Sequence, residues 1–311
     1  MLARLQQVFT LAWLAAIVGW GWVHWAQREP VRAVLGSLAI ACAHAAWLGF
    51  GFCVMRWQNR RDPAPPASWR QWRGAWWAEV RTAPLVFCWR QPFRSRAEPD
   101  HLPAPHARGR VGVLLVHGFV CNRGVWNPWM RRFRAEGIPF VAVNLEPVFG
   151  SIDHYGPLIE AAVRKLEIAT GKRPLLVGHS MGGLAIRAWL RDYQGDARIR
   201  GVVTLGTPHR GTWFSRLALH GNGREMRIGG DWLKRLAASE NASRRRLFLC
   251  CFSHCDNIVF PASCAVLPDA EALHVPGAAH VDLIYQPDVI AEVLRRIGPG
   301  FRRSEFNGGP I

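Results

Sequence analysis

The sequence is poor in acidic residues and in lysine. Its 311 residues include 22 Asp and Glu against 39 Lys and Arg, and only three of those 39 are lysine, so the formal net charge is +17. Apolar residues make up 50% and charged residues 20%, a balance that excludes a disordered chain. An arginine excess beside 16 tryptophans is typical of proteins that bind nucleic acid or an anionic membrane surface. Because the arginines are dispersed and form no binding motif, we expect no nucleic-acid partner.

Two stretches near the N-terminus lack charged side chains altogether. They comprise residues 8–25 and residues 33–55. A helix that crosses the hydrocarbon layer needs ~20 apolar residues, so both stretches qualify. The connector between them is short and contains Pro30, which predicts a transmembrane helical hairpin over residues 1–61. A cleaved signal peptide fits poorly, because no small-residue cleavage site follows the first stretch.

The charges that flank the two stretches predict an orientation in the membrane. The outer flanks hold Arg4, Arg56, Arg60 and Arg61, whereas the connector holds Arg28 and Arg32, partly offset by Glu29. Cytoplasmic flanks are enriched in arginine and lysine. We therefore expect an integral, multi-pass protein of a bacterial-type inner (cytoplasmic) membrane, with the rest of the chain on the cytoplasmic side.

Residues 62–109 comprise a Trp- and Arg-rich juxtamembrane segment and linker: prolines at residues 62–67 predict a linker, and residues 98–109 predict a second loop. Ser68 can cap a helix in which tryptophans recur at spacings of three and four, at Trp69, Trp72 and Trp76. Two interpretations of this helix are open. It lies in the headgroup layer of a membrane, where indole and guanidinium groups are favoured, or its tryptophans pack on the domain that follows.

From residue 110 to about residue 300 the pattern alternates between strands and helices. This alternation predicts a mainly parallel sheet covered by helices on both faces, with a final helix over residues 281–297 and a tail at 301–311. Residues 209–243 interrupt this alternation with short helical segments and glycines, which predicts an insertion. Cys250 and Cys251 are neighbours on a strand and point to opposite faces, which predicts buried thiols rather than a metal site.

The strongest chemical signal is Gly-His-Ser-Met-Gly at residues 178–182, between a strand and a helix. A tight turn with small residues on both sides holds Ser180 in a strained, exposed position suited to a nucleophile. The helix that begins at Met181 directs backbone N–H groups toward that point. His117-Gly118-Phe119 follows the first sheet strand, and Gly118 allows the backbone there to direct an N–H toward the serine. The N–H groups of Phe119 and Met181 are therefore the candidate oxyanion hole.

The base and the acid are expected later in the chain. His280 lies on a loop before the final helix and is the candidate base, whereas His117 comes too early and is expected to be structural. Asp256 follows the preceding strand and is the candidate acid. Asp269 and Asp282 compete with it, but Asp269 lies far along a loop and Asp282 is too close to His280 to orient its ring.

These residues resemble the α/β-hydrolase superfamily, and within it the bacterial lipases and esterases. The resemblance rests on three segments, at residues 117–119, 178–183 and 205–212, with further similarity in Asn-Ile-Val-Phe-Pro at 257–261. It covers about residues 110–298 and leaves out the hairpin, which secreted lipases lack. It implies an α/β-hydrolase fold with a helical lid insertion. It also implies a Ser180–His280–Asp256 triad that acts through an acyl-enzyme, with no cofactor and no metal.

The expected function is a membrane-anchored serine hydrolase that cleaves carboxylic esters, with lipid-like or amphiphilic substrates. A thioesterase, an acyltransferase or an amidase could use the same triad, and a membrane transport subunit is the non-enzymatic alternative. No obligate protein partner can be inferred. Residues 209–243 are expected to form a lid over Ser180 that opens beside the membrane, and the alternative is a fixed cap that completes the core.

Overall fold

The computed structural model describes residues 1–219 and 221–298, so the tail predicted at 301–311 lies outside the described residues. The helices of these residues are α1 (Leu2–Ala26), α2 (Pro30–Gln58), α3 (Trp69–Pro84), α4 (Gln91–Arg94), α5 (Asn127–Ala135), α6 (Gly156–Thr170), α7 (Met181–Tyr193), α8 (Gly221–Glu225), α9 (Asp231–Ala238), α10 (Ala242–Arg245) and α11 (Pro287–Ile297). The strands are β1 (Val113–Val116), β2 (Phe140–Ala142), β3 (Leu175–His179), β4 (Gly201–Leu205), β5 (Phe248–Phe252) and β6 (Glu271–His274).

The described strands form one sheet in the order β2-β1-β3-β4-β5-β6, and every pairing is parallel. We call residues 110–298, which contain it, the C-terminal domain. Along β1, Val113 and Leu115 join one buried cluster while Leu114 and Val116 join another, because successive side chains on a strand point to opposite faces. Both faces of the sheet are therefore covered, and the prediction of a buried parallel sheet is confirmed.

The final helix is shorter than predicted. Residues 281–297 were expected to be one helix, but Asp282–Tyr285 form a separate 3-10 turn and α11 begins at Pro287. Gln286 adopts an extended conformation, with ψ of 131°, because the residue before a proline is disfavoured in the helical region. Because α11 begins only at Pro287, the loop that carries His280 is separate from that helix.

The first two helices form the predicted hairpin. Both are long and apolar enough to cross a membrane and are candidate spans by length and composition. Side chains of one helix bond to backbone carbonyls of the other along its length: Trp13 Nε1 donates to Ile40 O at 3.1 Å and Ser37 Oγ donates to Ile17 O at 3.0 Å. The hairpin is therefore a paired unit rather than two independent helices.

The start of the hairpin is fixed to the C-terminal domain by a buried amide network. Gln6 Nε2 donates to Gln91 Oε1 at 3.0 Å, and Asn122 Nδ2 donates to Gln6 Oε1 at 3.3 Å. The Asn122 backbone N–H also donates to Gln91 Oε1 at 3.0 Å. Buried amides are stable only when they are bonded in this way, so the network defines one docking position for α1.

The far end of the hairpin is fixed as well. Asn59 Nδ2 donates to His254 O at 3.2 Å, and Asn59 Oδ1 accepts from the Ala262 N–H at 3.1 Å. Three residues later, Asp62 Oδ2 accepts from Ser263 Oγ at 2.6 Å. The segment that the prolines suggested as a linker therefore begins with bonds to the C-terminal domain.

The juxtamembrane helix has one buried face and one exposed face. Ser68 and Gln71 form a capping box at its start, as the helix prediction requires. Trp72 and Trp76 pack against a buried cluster that joins Phe52 of α2 to Phe260 of the C-terminal domain, so their packing involves the hairpin and not the C-terminal domain alone. Trp77, on the other face, is 53% exposed. The helical path also continues beyond the predicted helix, through a π-helical turn at Leu85–Arg90 into α4.

The insertion at 209–243 divides into two parts, with His220 outside the described residues. In the second part, Trp232, Leu233 and Leu236 of α9 are buried in the core of the C-terminal domain. That burial favours a fixed cap for α9. The first part, the 3-10 turn Trp213–Leu217 and the residues after it, leaves Leu217 69% and Leu219 76% exposed.

Candidate active site

Ser180 lies at the turn between β3 and α7. Its φ of 54° is in the left-handed region, which a non-glycine residue adopts only where the surrounding structure enforces it. A side chain at Gly182 would collide with the backbone of Val116 on β1, so the turn can lie against the neighbouring strand only because glycine stands there. This strained turn directs a serine out of the sheet, as the motif predicts.

His280 and Asp256 meet on adjoining loops. The Nδ1 atom of His280 lies 2.9 Å from Asp256 Oδ2 and 3.0 Å from Oδ1. The other bonds of Asp256 hold it in place, since its Oδ1 accepts from the Ile258 and Val259 N–H groups at 2.9 and 2.7 Å. With Nδ1–H donated to a carboxylate, Nε2 is the ring atom left to accept a proton. The structure thus brings the expected acid and base together.

The charge balance around His280 favours the protonated imidazolium. Burial opposes its protonation, but the Asp256 carboxylate and the more distant Glu79 carboxylate outweigh burial and raise the pKa of His280. His179 holds the backbone of His280 in place, because its Nε2 donates to His280 O at 3.1 Å. Burial and the nearby His280 lower the pKa of His179 well below its usual value. His179 is therefore a neutral support of the loop.

The two competing acids lie elsewhere. Asp269 pairs with Arg245 at 2.7 Å on the surface. Asp282 accepts a hydrogen bond from Gln286, and burial raises its pKa. Of the three candidates, Asp256 is the one bonded to the His280 ring.

His117 has the structural role expected of it. Its Nε2 accepts from the Leu145 N–H at 3.0 Å and its Nδ1 donates to Gly118 O at 2.9 Å. Burial lowers the pKa of His117 to about 4, so it stays neutral. It fixes the turn that carries Phe119.

The two candidate oxyanion donors flank Ser180. Met181 is the first residue of α7, so its N–H has no acceptor within the helix. On the other side, a side chain at Gly118 would stand 2.8 Å from Ser180 Cβ, so the turn before Phe119 lies directly against the serine. Phe119 itself lines the same cavity as Ser180.

A large cavity of about 800 Å³ opens from Ser180 and His280. Its walls are mostly apolar, including Phe87, Phe214 and Met226. Part of its lining comes from the hairpin, from Phe9, Thr10 and Trp13 of α1 and His44, Trp47 and Leu48 of α2. The volume lies in the upper part of the ~300–1,000 Å³ range of small-molecule sites. The site can therefore hold a large apolar group beside the serine.

Glu79 is a part of the site that sequence reasoning missed. It comes from α3, is 2% exposed, and accepts from the Val281 and Asp282 N–H groups, both at 3.1 Å, directly after His280. Burial raises its pKa to about 7, against the opposing effects of His280 and these two N–H groups. The available signal was that Glu79 is the sole acidic residue of the sequence between positions 63 and 97, on the same helix face as Trp72 and Trp76.

The cysteines at 250 and 251 are buried on β5, as predicted. Burial raises the pKa of the Cys250 thiol to about 11 and also holds the pKa of the Cys251 thiol well above its usual value. Within residues 1–219 and 221–298, no group of three or more His, Cys, Asp or Glu side chains is arranged to hold a metal ion.

The geometry agrees with comparisons to known proteins. Residues 113–252 match the profile of the Alpha/beta hydrolase family, a range that holds Ser180 and ends before Asp256 and His280. The mature form of a Bacillus licheniformis lipase is similar in structure, with a TM-score of 0.53, 18% identity, and coverage of 63% of this chain and 94% of the lipase. Aspergillus fumigatus lipase B has a TM-score of 0.56, 17% identity, and coverage of 69% of this chain and 59% of that protein. No curated protein sequence matches. The C-terminal domain therefore has the α/β-hydrolase fold.

Proposed function

We propose that the protein is a membrane-anchored serine hydrolase that cleaves carboxylic esters through Ser180, His280 and Asp256. The observation that carries this proposal is the convergence of a strained serine and a carboxylate-bound histidine on one apolar cavity. Phe119 and Met181 act as oxyanion donors. A serine hydroxyl is a weak nucleophile unless an adjacent base takes its proton, and His280 is the base within reach of the same cavity.

The reaction has two steps. In the first, Nε2 of His280 takes the Ser180 proton while Oγ bonds to the ester carbonyl carbon, and the oxyanion is held by the Phe119 and Met181 N–H groups. The carbon–oxygen bond to the alcohol then breaks, and the alcohol leaves with the proton from His280. In the second step His280 activates water, which releases the acid and restores Ser180. Asp256 stabilises the imidazolium in both steps.

The cavity favours an ester with a large apolar acyl group. Its lining is dominated by aromatic and aliphatic side chains, and burial of such a group is favourable by about 25 cal/mol per Å². A lipid-like or amphiphilic ester is therefore the proposed substrate class. A thioester of the same acyl group would satisfy the same contacts, so a matched thioester belongs in the test.

The hairpin is proposed to hold the enzyme in the cytoplasmic membrane. Its outward side chains are apolar and exposed, with Val18 69% and Trp22 75% exposed, whereas monomeric soluble proteins rarely expose large contiguous apolar patches. The flanking arginines favour a cytoplasmic C-terminal domain. Protease added to sealed inverted vesicles should therefore cut this domain, and protease added to intact spheroplasts should not. The reverse pattern would place the domain on the other side.

The test of the reaction is Ser180→Ala in the full-length protein. Hydrolysis of 4-nitrophenyl esters should fall by on the order of 10⁴–10⁶-fold, and covalent labelling by a fluorophosphonate should disappear. Ser239→Ala is the matched control, since Ser239 Oγ bonds only within its own turn, to Leu236 O. Retention of more than a few per cent of wild-type turnover by the Ser180 variant would refute the proposed nucleophile. Faster turnover of the matched thioester would reassign the enzyme as a thioesterase.

A further inference from the structure

The hairpin forms one wall of the cavity that opens from Ser180. Phe9, Thr10 and Trp13 contribute from α1, and His44, Trp47 and Leu48 contribute from α2. These residues do not belong to the α/β-hydrolase fold of the C-terminal domain. A helix pair that served only as a tether would have no reason to line the cavity beside the nucleophile.

This wall is held in a defined position. The Gln6 amide network fixes α1 beside the turn that carries Phe119, because Gln6 Nε2 also donates to Val120 O, next to Phe119, at 3.4 Å. On α2, Trp76 Nε1 of the juxtamembrane helix donates to Ala45 O at 3.0 Å, next to His44. The side chains that line the cavity on α1 and α2 are therefore fixed relative to Ser180.

Helix geometry determines how deep in a membrane this wall of the cavity would lie. The buried residues of α1 are confined to its start, at Leu2, Gln6 and Thr10. Beyond Trp13, the remaining residues 14–26 rise about 20 Å at ~1.5 Å per residue. The hydrocarbon layer is ~30 Å thick. A spanning hairpin must therefore immerse part of the stretch that contacts the C-terminal domain, which brings the cavity wall to the membrane boundary.

Exposed aromatic and apolar side chains occur on the cavity wall and on the segments that adjoin it. Phe9 and Trp47, on the cavity wall itself, are 66% and 70% exposed. Trp77 of α3 lies within 5.8 Å of the Arg81 guanidinium, a pairing of indole and cation suited to lipid headgroups. Leu217 and Leu219 add apolar surface from the insertion, next to the cavity-lining residue Ala218.

We infer that the hairpin is a part of the substrate site, and that the cavity between α1, α2 and the C-terminal domain receives the long acyl chain of an ester resident in the same bilayer. This inference rests on the proposed ester hydrolysis at Ser180 and adds the source and the position of the chain. The apolar chain passes from lipid into an apolar cavity without crossing water, and the ester group stops at Ser180. The hairpin thereby selects substrates as well as anchoring the enzyme.

A bifunctional probe tests the position of the chain. A long-chain alkyl fluorophosphonate with a diazirine at its far end is incorporated into vesicles that contain the full-length protein. Ser180 Oγ displaces fluoride from phosphorus, and irradiation then links the chain end to whatever it touches. The expected cross-links lie in tryptic peptides 5–28 or 33–56, which contain the two sides of the wall. A cross-link pattern that lacks both peptides overturns the inference. Absence of any label on Ser180 instead overturns the proposed function.

A pair of substitutions tests the wall by activity. Leu48→Trp adds bulk inside the cavity, and Leu38→Trp adds the same bulk to an exposed position of α2 outside it. For Leu48→Trp, the ratio of kcat/KM for the palmitoyl ester to that for the butyryl ester should fall at least about tenfold, whereas Leu38→Trp should keep the wild-type ratio. Equal ratios in the two variants would show that the acyl chain does not reach α2.

Discussion

The hairpin and the C-terminal domain bury side chains in opposite ways. In the C-terminal domain, strands β1 to β5 are buried along their whole length, and Leu114 and Val116 have no exposed surface. In α1, two of the three buried residues are polar, Gln6 and Thr10, while apolar side chains such as Val18 and Trp22 face outward. A helix on a water-soluble protein has the reverse arrangement. This arrangement supports the proposal that the hairpin lies in an apolar solvent.

The two regions nevertheless share one site. The C-terminal domain supplies Ser180, His280 and Asp256, and the hairpin supplies part of the cavity wall. Glu79 of the juxtamembrane helix connects them, because α3 packs on α2 and Glu79 bonds to the backbone directly after His280. The two proposals assign the chemistry to the C-terminal domain and the selection of substrate to the hairpin, and substitutions can test the two separately.

The largest expected effect tests whether the chemistry lies wholly in the C-terminal domain. Asp256→Asn should lower kcat by about 10⁴-fold, because the imidazolium of His280 loses its negative partner. Asp269→Asn is the matched control, since Asp269 pairs with Arg245 on the surface and should lose less than about twofold. Steady-state kinetics on a short-chain ester measures both. A larger loss for Asp269→Asn than for Asp256→Asn would reverse the assignment of the acid.

Sequence reasoning is most informative where the signal is local or follows from chain order. The Gly-x-Ser-x-Gly motif predicts the position of Ser180 from its immediate neighbours. The fold's order of serine, acid and histidine pointed to Asp256 and His280, and in the structure these two side chains are hydrogen-bonded. Local apolar spacing did not predict the break before α11, because Pro287 overrides it. Glu79 could not be found this way, since its partner Val281 lies 202 residues away along the chain. The hairpin wall likewise depends on docking between distant segments.

The second prediction concerns a buried ion pair within the C-terminal domain. Arg187 of α7 donates to Glu240 through Nε and Nη2, both at 2.8 Å, and both side chains are 1% exposed. Arg187→Met leaves the Glu240 carboxylate buried without its cation and should lower the free energy of unfolding by about 3–5 kcal/mol. Denaturant titration of the full-length protein in detergent, followed by near-UV signals, measures the loss.

Two further variants make this test specific. Arg191→Met removes a partly exposed arginine from its pairs with Asp153 and Asp192 and should cost less than about 1 kcal/mol. The double variant Arg187→Met with Glu240→Leu should recover most of the loss, because it removes the unpaired charge. If Arg187→Met were as mild as Arg191→Met, the buried pair would not be what fixes the insertion to α7.

The smallest expected effect tests Glu79, where the two regions meet. As a base, His280 must be unprotonated, so its raised pKa sets the acidic limb of the kcat/KM profile. The Glu79 carboxylate contributes to that rise, and its own pKa of about 7 means that it carries charge above neutrality. Glu79→Gln removes this charge. The pKa of His280 should fall, and the acidic limb should move to lower pH.

The direction of the shift separates electrostatics from packing. The amide introduced by Glu79→Gln would still offer one carbonyl oxygen to the two N–H groups of residues 281 and 282, so the loop would be less well held and kcat should also fall, by a few-fold. Glu136→Gln is the matched control, because Glu136 lies on the surface at the end of α5 and pairs with Arg132. A lower kcat with an unmoved acidic limb would make Glu79 a support of the loop alone. A shifted limb would mean that the membrane-side helix also sets the pH range of the C-terminal domain's chemistry.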